Sequence, residues 1–237
     1  MKKTETIRIN SSQCTSLTEG GAFIGKEKFF DVWKYHDLLL ESGNIYALVG
    51  EYGMGGMFLS YLLGGKIDFG NLKIYVNEKE IQKHDLELIS WNLEPRDEKY
   101  GNFIVEKSIL KALRQNKSKE NFSNIKNKFI LTSSKAGTKL KNLSGERWRA
   151  SAALGYVMGR QIFYAPYNTS QFYYHMCQSG LLKALRELTD AGAIVLLPVG
   201  SDEFIKYIAD LCIYIQTPHY DIESLRQKYN GLINAGD

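Results

Sequence analysis

The sequence predicts an α/β fold in which a mostly parallel core sheet carries an inserted block of helices. Three observations support this prediction. A glycine-rich loop lies between an apolar run and a helix-like stretch within residues 44–63. Strand-like and helix-like segments alternate after Gln161. Residues 94–159, between these two parts, have mainly helical spacing. In addition, an antiparallel β segment is expected near the N-terminus.

The N-terminal part of the chain has the pattern of several strands. Residues 6–10 alternate between polar and apolar side chains, and residues 45–49 form the continuous apolar run typical of a buried strand. Residues 72–76 precede Asn77-Glu78 and a further short segment, which predicts a β-hairpin. This part should therefore supply both antiparallel strands and the first strand of the core sheet.

The rest of the chain divides into a helical block and a second series of strands and helices. Three helices are predicted in the block, at residues 105–113, 121–130 and 145–158. A strand, a helix and a strand are then expected at residues 162–165, 181–190 and 193–197, with further apolar runs at residues 205–210 and 211–216. We therefore predict a single domain, with a core lobe from residues 1–93 and 160–237 and a helical subdomain from residues 94–159.

Composition excludes several classes of protein. The hydrophobic content of 44% and the charged content of 24% are ordinary for a soluble globular protein. No apolar run approaches the roughly 18 residues of a membrane-spanning helix. The N-terminus also lacks the apolar core of a signal peptide, so a cytoplasmic location is expected. The three cysteines, Cys14, Cys177 and Cys212, are far apart and the four histidines are isolated, so the sequence predicts no metal site.

A lysine-rich segment between Arg114 and Lys141 raises the question of nucleic-acid binding, since the net charge is +4. Glutamates and asparagines interleave with these lysines, and aromatic side chains that could stack on bases are scarce there. A solvated helical face is therefore the favoured interpretation. An anionic membrane surface or a protein subunit is the alternative partner for this segment.

The glycine-rich loop has the spacing of a phosphate-binding loop without its functional side chains. Its glycines are Gly50, Gly53, Gly55 and Gly56. A working loop ends in a lysine that reaches the β- and γ-phosphates, followed by a serine or threonine that holds Mg²⁺. Here those two positions are Gly56 and Met57. The backbone cradle can persist, but the charge and the metal ligand are absent.

The order of motifs along nearly the whole chain resembles that of ATP-binding-cassette (ABC) transporter ATPases, which have a P-loop NTPase fold. Residues 161–166 resemble the Walker B strand with its trailing Glu-Pro, and residues 195–201 resemble the switch strand. The resemblance assigns the Mg²⁺-linked aspartate to Tyr164, the carboxylate that activates water to Ala165, and the γ-phosphate-sensing histidine to Gly200. Each of these replacements lacks the chemistry of the group it stands for.

Two further stretches complete the resemblance. Residues 143–147, Leu-Ser-Gly-Glu-Arg, resemble the Leu-Ser-Gly-Gly-Gln signature, which in this family contacts the γ-phosphate held by the opposite subunit. The resemblance thus implies that Ser144, Gly145 and Glu146 face a partner's ATP at a helix N-terminus, although Glu146 brings a negative charge to it. Glu94 lies near the glutamine position of the family's glutamine loop, where a carboxylate could meet Mg²⁺ but would repel phosphate.

The resemblance implies a transporter subunit that lacks the groups for phosphoryl transfer, a reaction that depends almost wholly on positioning and charge. We expect the chain to be catalytically inactive and to bind no cofactor tightly, with ATP and Mg²⁺ held by a partner. That partner would be an intact ABC ATPase subunit in a heterodimer with one live ATP site. A transmembrane permease would dock near residues 91–103 and hold the chain at the inner face of the cell membrane.

Two other functions are compatible with the same residues. One is a stand-alone regulatory or binding module on a degenerate ABC fold. The other is a weak ATPase that uses unusual residues such as Glu94 or Glu146, in which case Glu146→Ala should abolish turnover. A neighbouring gene for an intact ATPase and a membrane protein would favour the transporter subunit, whereas an isolated gene would favour the stand-alone module.

Overall fold

The computed structural model describes residues 3–9, 13–19, 28–34, 37–50, 56–67, 72–96 and 98–215. The strands are β1 (Thr6–Ile9), β2 (Gln13–Glu19), β3 (Lys28–Lys34), β4 (Leu38–Glu41), β5 (Ile45–Val49), β6 (Ile74–Val76), β7 (Lys79–Ile81), β8 (Ser90–Asn92), β9 (Ile162–Tyr164), β10 (Ile194–Val199) and β11 (Leu211–Tyr214). The helices are α1 (Gly56–Leu63), α2 (Lys83–Ile89), α3 (Val105–Gln115), α4 (Phe122–Lys128), α5 (Arg147–Val157), α6 (Ser170–Gln178) and α7 (Leu181–Asp190).

The core of the fold is a five-stranded parallel sheet with the strand order β11-β5-β10-β9-β8. A four-stranded antiparallel sheet has the order β4-β1-β6-β7, and β2 and β3 form a separate antiparallel hairpin. The parallel register aligns Tyr46 with Leu196 and Leu196 with Tyr164. The predicted α/β fold, with a parallel core sheet and an antiparallel segment near the N-terminus, is therefore confirmed.

Both faces of the parallel sheet are buried, which explains the continuous apolar runs in its strands. In β5, Ile45, Ala47 and Val49 belong to one hydrophobic cluster, which also contains residues of α3, α4, α5 and α7. Tyr46 and Leu48 point to the other face, where they join a second cluster with α1 and the antiparallel sheet. The sheet thus divides the core into two layers, one on each side.

Most of the predicted elements are present, and six further elements were not predicted. The strands around residues 45–49 and 162–165 and all four predicted helices after residue 100 are confirmed, and α7 has the predicted bounds. The hairpin of β6 and β7 turns through Asn77 and Glu78, which both have positive φ. Helices α2 and α6 and strands β2, β3, β4 and β8 were not predicted. No helix in the described part of the chain is long and apolar enough to span a membrane.

Helix α5 packs closely against the sheet because Gly155 has no side chain. A Cβ atom at this position would lie 2.5 Å from the Phe163 ring and 2.7 Å from the indole of Trp91. The indole Nε1 of Trp91 also donates a hydrogen bond to Ser151 Oγ at 2.9 Å, and Ser151 Oγ donates to the Asn92 carbonyl at 2.8 Å. The helix that begins at Arg147 is therefore held firmly against the edge of the sheet.

We expect Gly155→Ala to lower the free energy of unfolding by about 1–3 kcal/mol, because the added Cβ must displace packed rings. The same substitution in an exposed helix interior raises stability by about 1 kcal/mol, so the sign of the effect is diagnostic. Urea-induced unfolding measures it. Gly137→Ala is the matched control, because a Cβ atom at Gly137 would have no heavy atom within 4 Å. Unchanged or increased stability of Gly155→Ala would contradict the close contact.

Candidate functional site

The glycine-rich loop joins β5 to α1, as its sequence setting predicts. Gly53 and Gly55 belong to residues 51–55, which lie outside the described part of the chain. At its start, the Gly50 amide donates to the Val199 carbonyl at 2.9 Å. At its end, Gly56 is buried and begins α1, and the Met57 side chain is only 2% exposed. An apolar side chain is thus packed at the position that would hold a magnesium ligand.

Tyr164, at the Walker B aspartate position, is buried in the layer between the sheet and α1. Its ring lies edge-on to Tyr61, with ring centroids 5.8 Å apart, and its hydroxyl donates to Glu98 Oε1 at 3.4 Å. Burial, together with the nearby Glu98 carboxylate, raises the pKa of the Tyr164 hydroxyl well above its ordinary value. The Tyr164 hydroxyl is therefore a neutral phenol, at the position to which the sequence resemblance assigns a carboxylate. The adjacent Ala165 is fully buried, and its carbonyl accepts from Ser60 Oγ at 2.7 Å.

Gly200, at the switch-histidine position, is closely approached by Tyr167. A Cβ atom on Gly200 would lie 2.5 Å from the Tyr167 hydroxyl oxygen. A histidine could therefore stand here only if Tyr167 moved. The positions to which the sequence resemblance assigns the metal ligand, the aspartate and the histidine are thus occupied or crowded by Met57, Tyr164 and Tyr167.

The signature segment has the opposite character, because Ser144 and Gly145 are exposed. They lie immediately before α5, which begins at Arg147, and the Arg147 amide donates to the Ser144 carbonyl at 3.0 Å. A surface pocket of about 450 Å³ opens at this point. Its lining includes Arg96, Lys141, Ser144, Gly145, Trp148 and Phe172. Cationic side chains and a helix N-terminus therefore surround the exposed serine and glycine.

Glu146 is not placed where the sequence analysis expected it. It is 5% exposed, and its Oε1 accepts a hydrogen bond from the Thr132 amide at 2.6 Å, with Lys135 Nζ 4.0 Å from its other oxygen. Glu146 does not line the pocket beside Ser144. Its carboxylate satisfies a backbone amide instead of facing an anion, because that amide would otherwise lack an acceptor. The Glu146 carboxylate is therefore engaged within the chain itself.

Glu94 forms a buried ion pair with Arg147, the last residue of the signature segment. Arg147 Nε donates to both carboxylate oxygens of Glu94, at 2.6 and 2.8 Å, and the side chains are 8% and 0% exposed for Arg147 and Glu94. Arg147 Nη1 also donates to the carbonyl of Leu143, and Arg96 Nε lies 3.5 Å from Glu94 Oε1. Burial raises the pKa of the Glu94 carboxyl, and its bond to Arg147 lowers that pKa in part.

The ion pair was missed by sequence reasoning, although a signal for it was present. The resemblance places Arg147 at a glutamine position of the family and Glu94 near another, and their charges are opposite. The two departures are therefore complementary. Sequence reasoning also missed Glu98, whose carboxylate accepts from the Tyr164 hydroxyl. The same carboxylate accepts from Asn92 Nδ2 at 2.7 Å and from Lys66 Nζ at 3.1 Å. The network ties the segment after β8 to the end of α1.

The remaining candidate ligands do not cluster. Among the described residues, no group of three or more histidine, cysteine, aspartate and glutamate side chains could hold a metal ion. Cys177 and Cys212 are half-buried free thiols, and burial raises the pKa of Cys177 to about 12. The Cys14, His36 and His219 side chains lie outside the described part of the structure.

Comparison with known proteins relates this arrangement to solved structures. No protein-family model matches the sequence, and no protein of curated function matches it. The structure of cbiO1 from Clostridium perfringens, part of the ABC transporter complex cbiONQ, superposes with a TM-score of 0.65 over 90% of this chain and 86% of its own, at 14% identity. The chain has the ABC ATPase fold.

Other ABC ATPase structures agree with this assignment. A putative ABC transporter ATP-binding protein from Pyrococcus furiosus gives a TM-score of 0.60 at 14% identity, covering 89% of this chain and 97% of its own. MJ1267, an ATP-binding cassette of an ABC transporter in its ADP conformation, gives 0.59 at 12% identity and 91% of both chains. At such identities the likeness concerns the fold.

We expect Arg147→Gln to lower the free energy of unfolding by about 3–5 kcal/mol at about pH 8, because it leaves Glu94 buried without its partner. The double variant Glu94→Gln/Arg147→Gln removes both charges and should lose less than the single variant. In Arg147→Gln the native pKa of Glu94 rises further above its unfolded value. The native state then takes up a proton as the pH falls, so the deficit should shrink toward about pH 5. Chemical denaturation at both pH values measures these effects.

The control is the exposed pair of Arg8 and Glu78, whose side chains are 44% and 69% exposed at an N···O distance of 2.9 Å. Arg8→Gln should cost at most about 1 kcal/mol. A double variant at residues 94 and 147 that is less stable than Arg147→Gln, or a deficit that does not change with pH, would argue against a buried ion pair.

Proposed function

We propose that this chain is a catalytically inactive ATPase-like subunit of an ABC transporter, which lends Ser144 and Gly145 to the ATP site of an intact partner subunit. One contrast carries the proposal. The positions at which the chain would use its own nucleotide are filled by Met57, Tyr164 and Ala165, whereas the signature serine and glycine are exposed beside a cationic pocket.

The chain's own site offers a triphosphate no countercharge at the loop lysine position and no magnesium ligand at the next one. Gly56 and Met57 stand there, and a protonated phenol stands at the aspartate position. Phosphoryl transfer needs these charges in place, and each missing group of this kind costs on the order of 10²–10³ in rate. Hydrolysis by this site alone is therefore not expected, and ATP binding to it should be weak or absent.

The signature segment keeps the features that attract an anion. Its serine and glycine precede the 11-residue helix α5, whose N-terminus carries a partial positive charge, and Arg96 and Lys141 line the same pocket. With Glu146 turned to the Thr132 amide, none of the described residues that line this pocket carries a carboxylate. A partner's γ-phosphate would meet hydroxyl, amide and cationic groups here.

The partners follow from the proposed role. A motor with this chain needs an intact ABC ATPase subunit to bind and hydrolyse ATP, in a heterodimer with one live site, and a transmembrane permease to move cargo. The permease would contact the exposed residues of the segment that follows β8, such as Lys99 and Asn102. The chain would then lie at the inner face of the membrane, with no contact to nucleic acid.

The alternative of a weak ATPase has less support, because its two proposed carboxylates are engaged. Glu94 is paired with Arg147, and Glu146 accepts from the Thr132 amide. Neither lies free to orient a water molecule. The stand-alone regulatory module differs from the transporter subunit in its partners, so the proteins that bind the chain in the cell distinguish the two.

We expect the isolated chain to show no saturable binding of Mg²⁺-ATP in calorimetry, because its pocket has neither lysine nor metal ligand. Purified from the native cell in mild detergent, the tagged chain should carry with it an intact ABC ATPase and a protein with several membrane spans. Low-micromolar affinity for Mg²⁺-ATP would refute the inactive site, and purification with neither protein would favour the stand-alone module.

In the reconstituted complex, Ser144→Arg should reduce ATP hydrolysis several-fold, because a bulky side chain blocks the surface offered to the partner's nucleotide. Steady-state turnover measures the effect. Ser134→Arg is the matched control, since Ser134 is an exposed serine elsewhere in the helical block. Equal turnover of the two variants would remove the proposed role of the signature segment in trans.

A further inference from the structure

The Glu94–Arg147 pair connects two segments that lie 53 residues apart in the sequence. Glu94 is fixed to the sheet edge, because the Leu93 amide donates to the Tyr164 carbonyl at 2.8 Å and the Glu94 amide donates to Asn92 Oδ1 at 2.9 Å. Glu94 is thus a rigid anchor, and its carboxylate holds Arg147 from the sheet side.

The Arg147 guanidinium extends this anchor to the signature segment. Its Nε atom donates to the Glu94 carboxylate, and its Nη1 atom donates to the carbonyl of Leu143, the residue directly before Ser144. The planar guanidinium fixes both bonds at once, because its donors point in set directions. The exposed Ser144-Gly145 pair is therefore held in place through the backbone carbonyl of the preceding residue, Leu143.

The other end of the segment has its own tether. The Glu146 carboxylate accepts from the Thr132 amide at 2.6 Å, and the Arg147 amide donates to the Ser144 carbonyl at 3.0 Å. Ser144 and Gly145 thus lie between two fixed points.

We propose that Glu94 and Arg147 are positioning residues, which hold the Leu143 carbonyl and so keep Ser144 and Gly145 in one fixed conformation without nucleotide. This inference rests on the proposed function, in that the fixed conformation is the one offered to the partner's ATP. The two side chains are 0% and 8% exposed for Glu94 and Arg147, and they act through the Leu143 carbonyl. Their role is to remove the cost of ordering the segment when the dimer closes.

The decisive variant is Arg147→Lys. Lysine keeps a positive charge opposite Glu94, but all its donors are on one nitrogen. The second nitrogen, which donates to the Leu143 carbonyl in the wild type, is lost. In the isolated chain, backbone NMR order parameters of Ser144 and Gly145 should be about 0.85 in the wild type and fall below about 0.6 in this variant. Arg149→Lys, a matched change in the same helix, should leave them unchanged. Unchanged order parameters in Arg147→Lys would overturn the inference.

The complex separates this inference from the proposed function. With the intact partner, Arg147→Lys should lower kcat for ATP about tenfold and change KM less than twofold, because the partner's own residues bind most of the nucleotide. If the segment loosens in the isolated chain but turnover stays the same, the positioning role stands and the donation in trans falls. If Arg147→Lys does not fold, Glu94→Asp serves instead, since it keeps both charges but withdraws the carboxylate, and the same loss of order is expected.

Discussion

The buried ion pair between Glu94 and Arg147 is the constraint on which the arrangement of the site depends. A carboxylate and a guanidinium that are both removed from water must stay paired, because either one alone would leave an uncompensated buried charge. The pair therefore fixes the distance between the segment after β8 and the start of α5. The exposed signature serine, the pocket beside it and the orientation of Arg96 all lie around this fixed point.

The chain's own nucleotide position and its signature segment have opposite physical character. At the first, Met57 and Tyr164 complete the hydrophobic layer against α1, and Tyr167 takes the room of a switch side chain at Gly200. At the second, polar and cationic groups stay in contact with solvent. Charged side chains could replace these residues only if the packed rings of Tyr164 and Tyr167 moved. A lysine at Gly56 alone would therefore not create an ATP site.

The sequence predicted the parts of the fold that have strong local patterns. β5 and α7 were found because apolar runs and 3.6-residue spacing are local signals. β8 was missed because it has only three residues, Ser-Trp-Asn, whose burial comes from tertiary contacts with β9 and α5, and α2 is seven mostly polar residues. Helix α6 had a readable start, since Thr169 Oγ1 accepts from the Phe172 amide. At the site, motif order gave Ser144 and Gly145, but the contact across 53 residues needed the tertiary structure.

The two charged replacements make sense only together. Glutamate alone at residue 94, or arginine alone at residue 147, would cost about 3–5 kcal/mol, a large part of the 5–15 kcal/mol that stabilises a typical domain. Two neutral glutamines would avoid that cost, so the fold itself does not require the charges. The pair fixes the orientation of the Arg147 guanidinium. Held by Glu94, the guanidinium can keep the Leu143 carbonyl in one place. A subunit that offers this segment to a partner's nucleotide, as proposed above, gains from such a clamp, because less ordering is then needed when the two subunits meet.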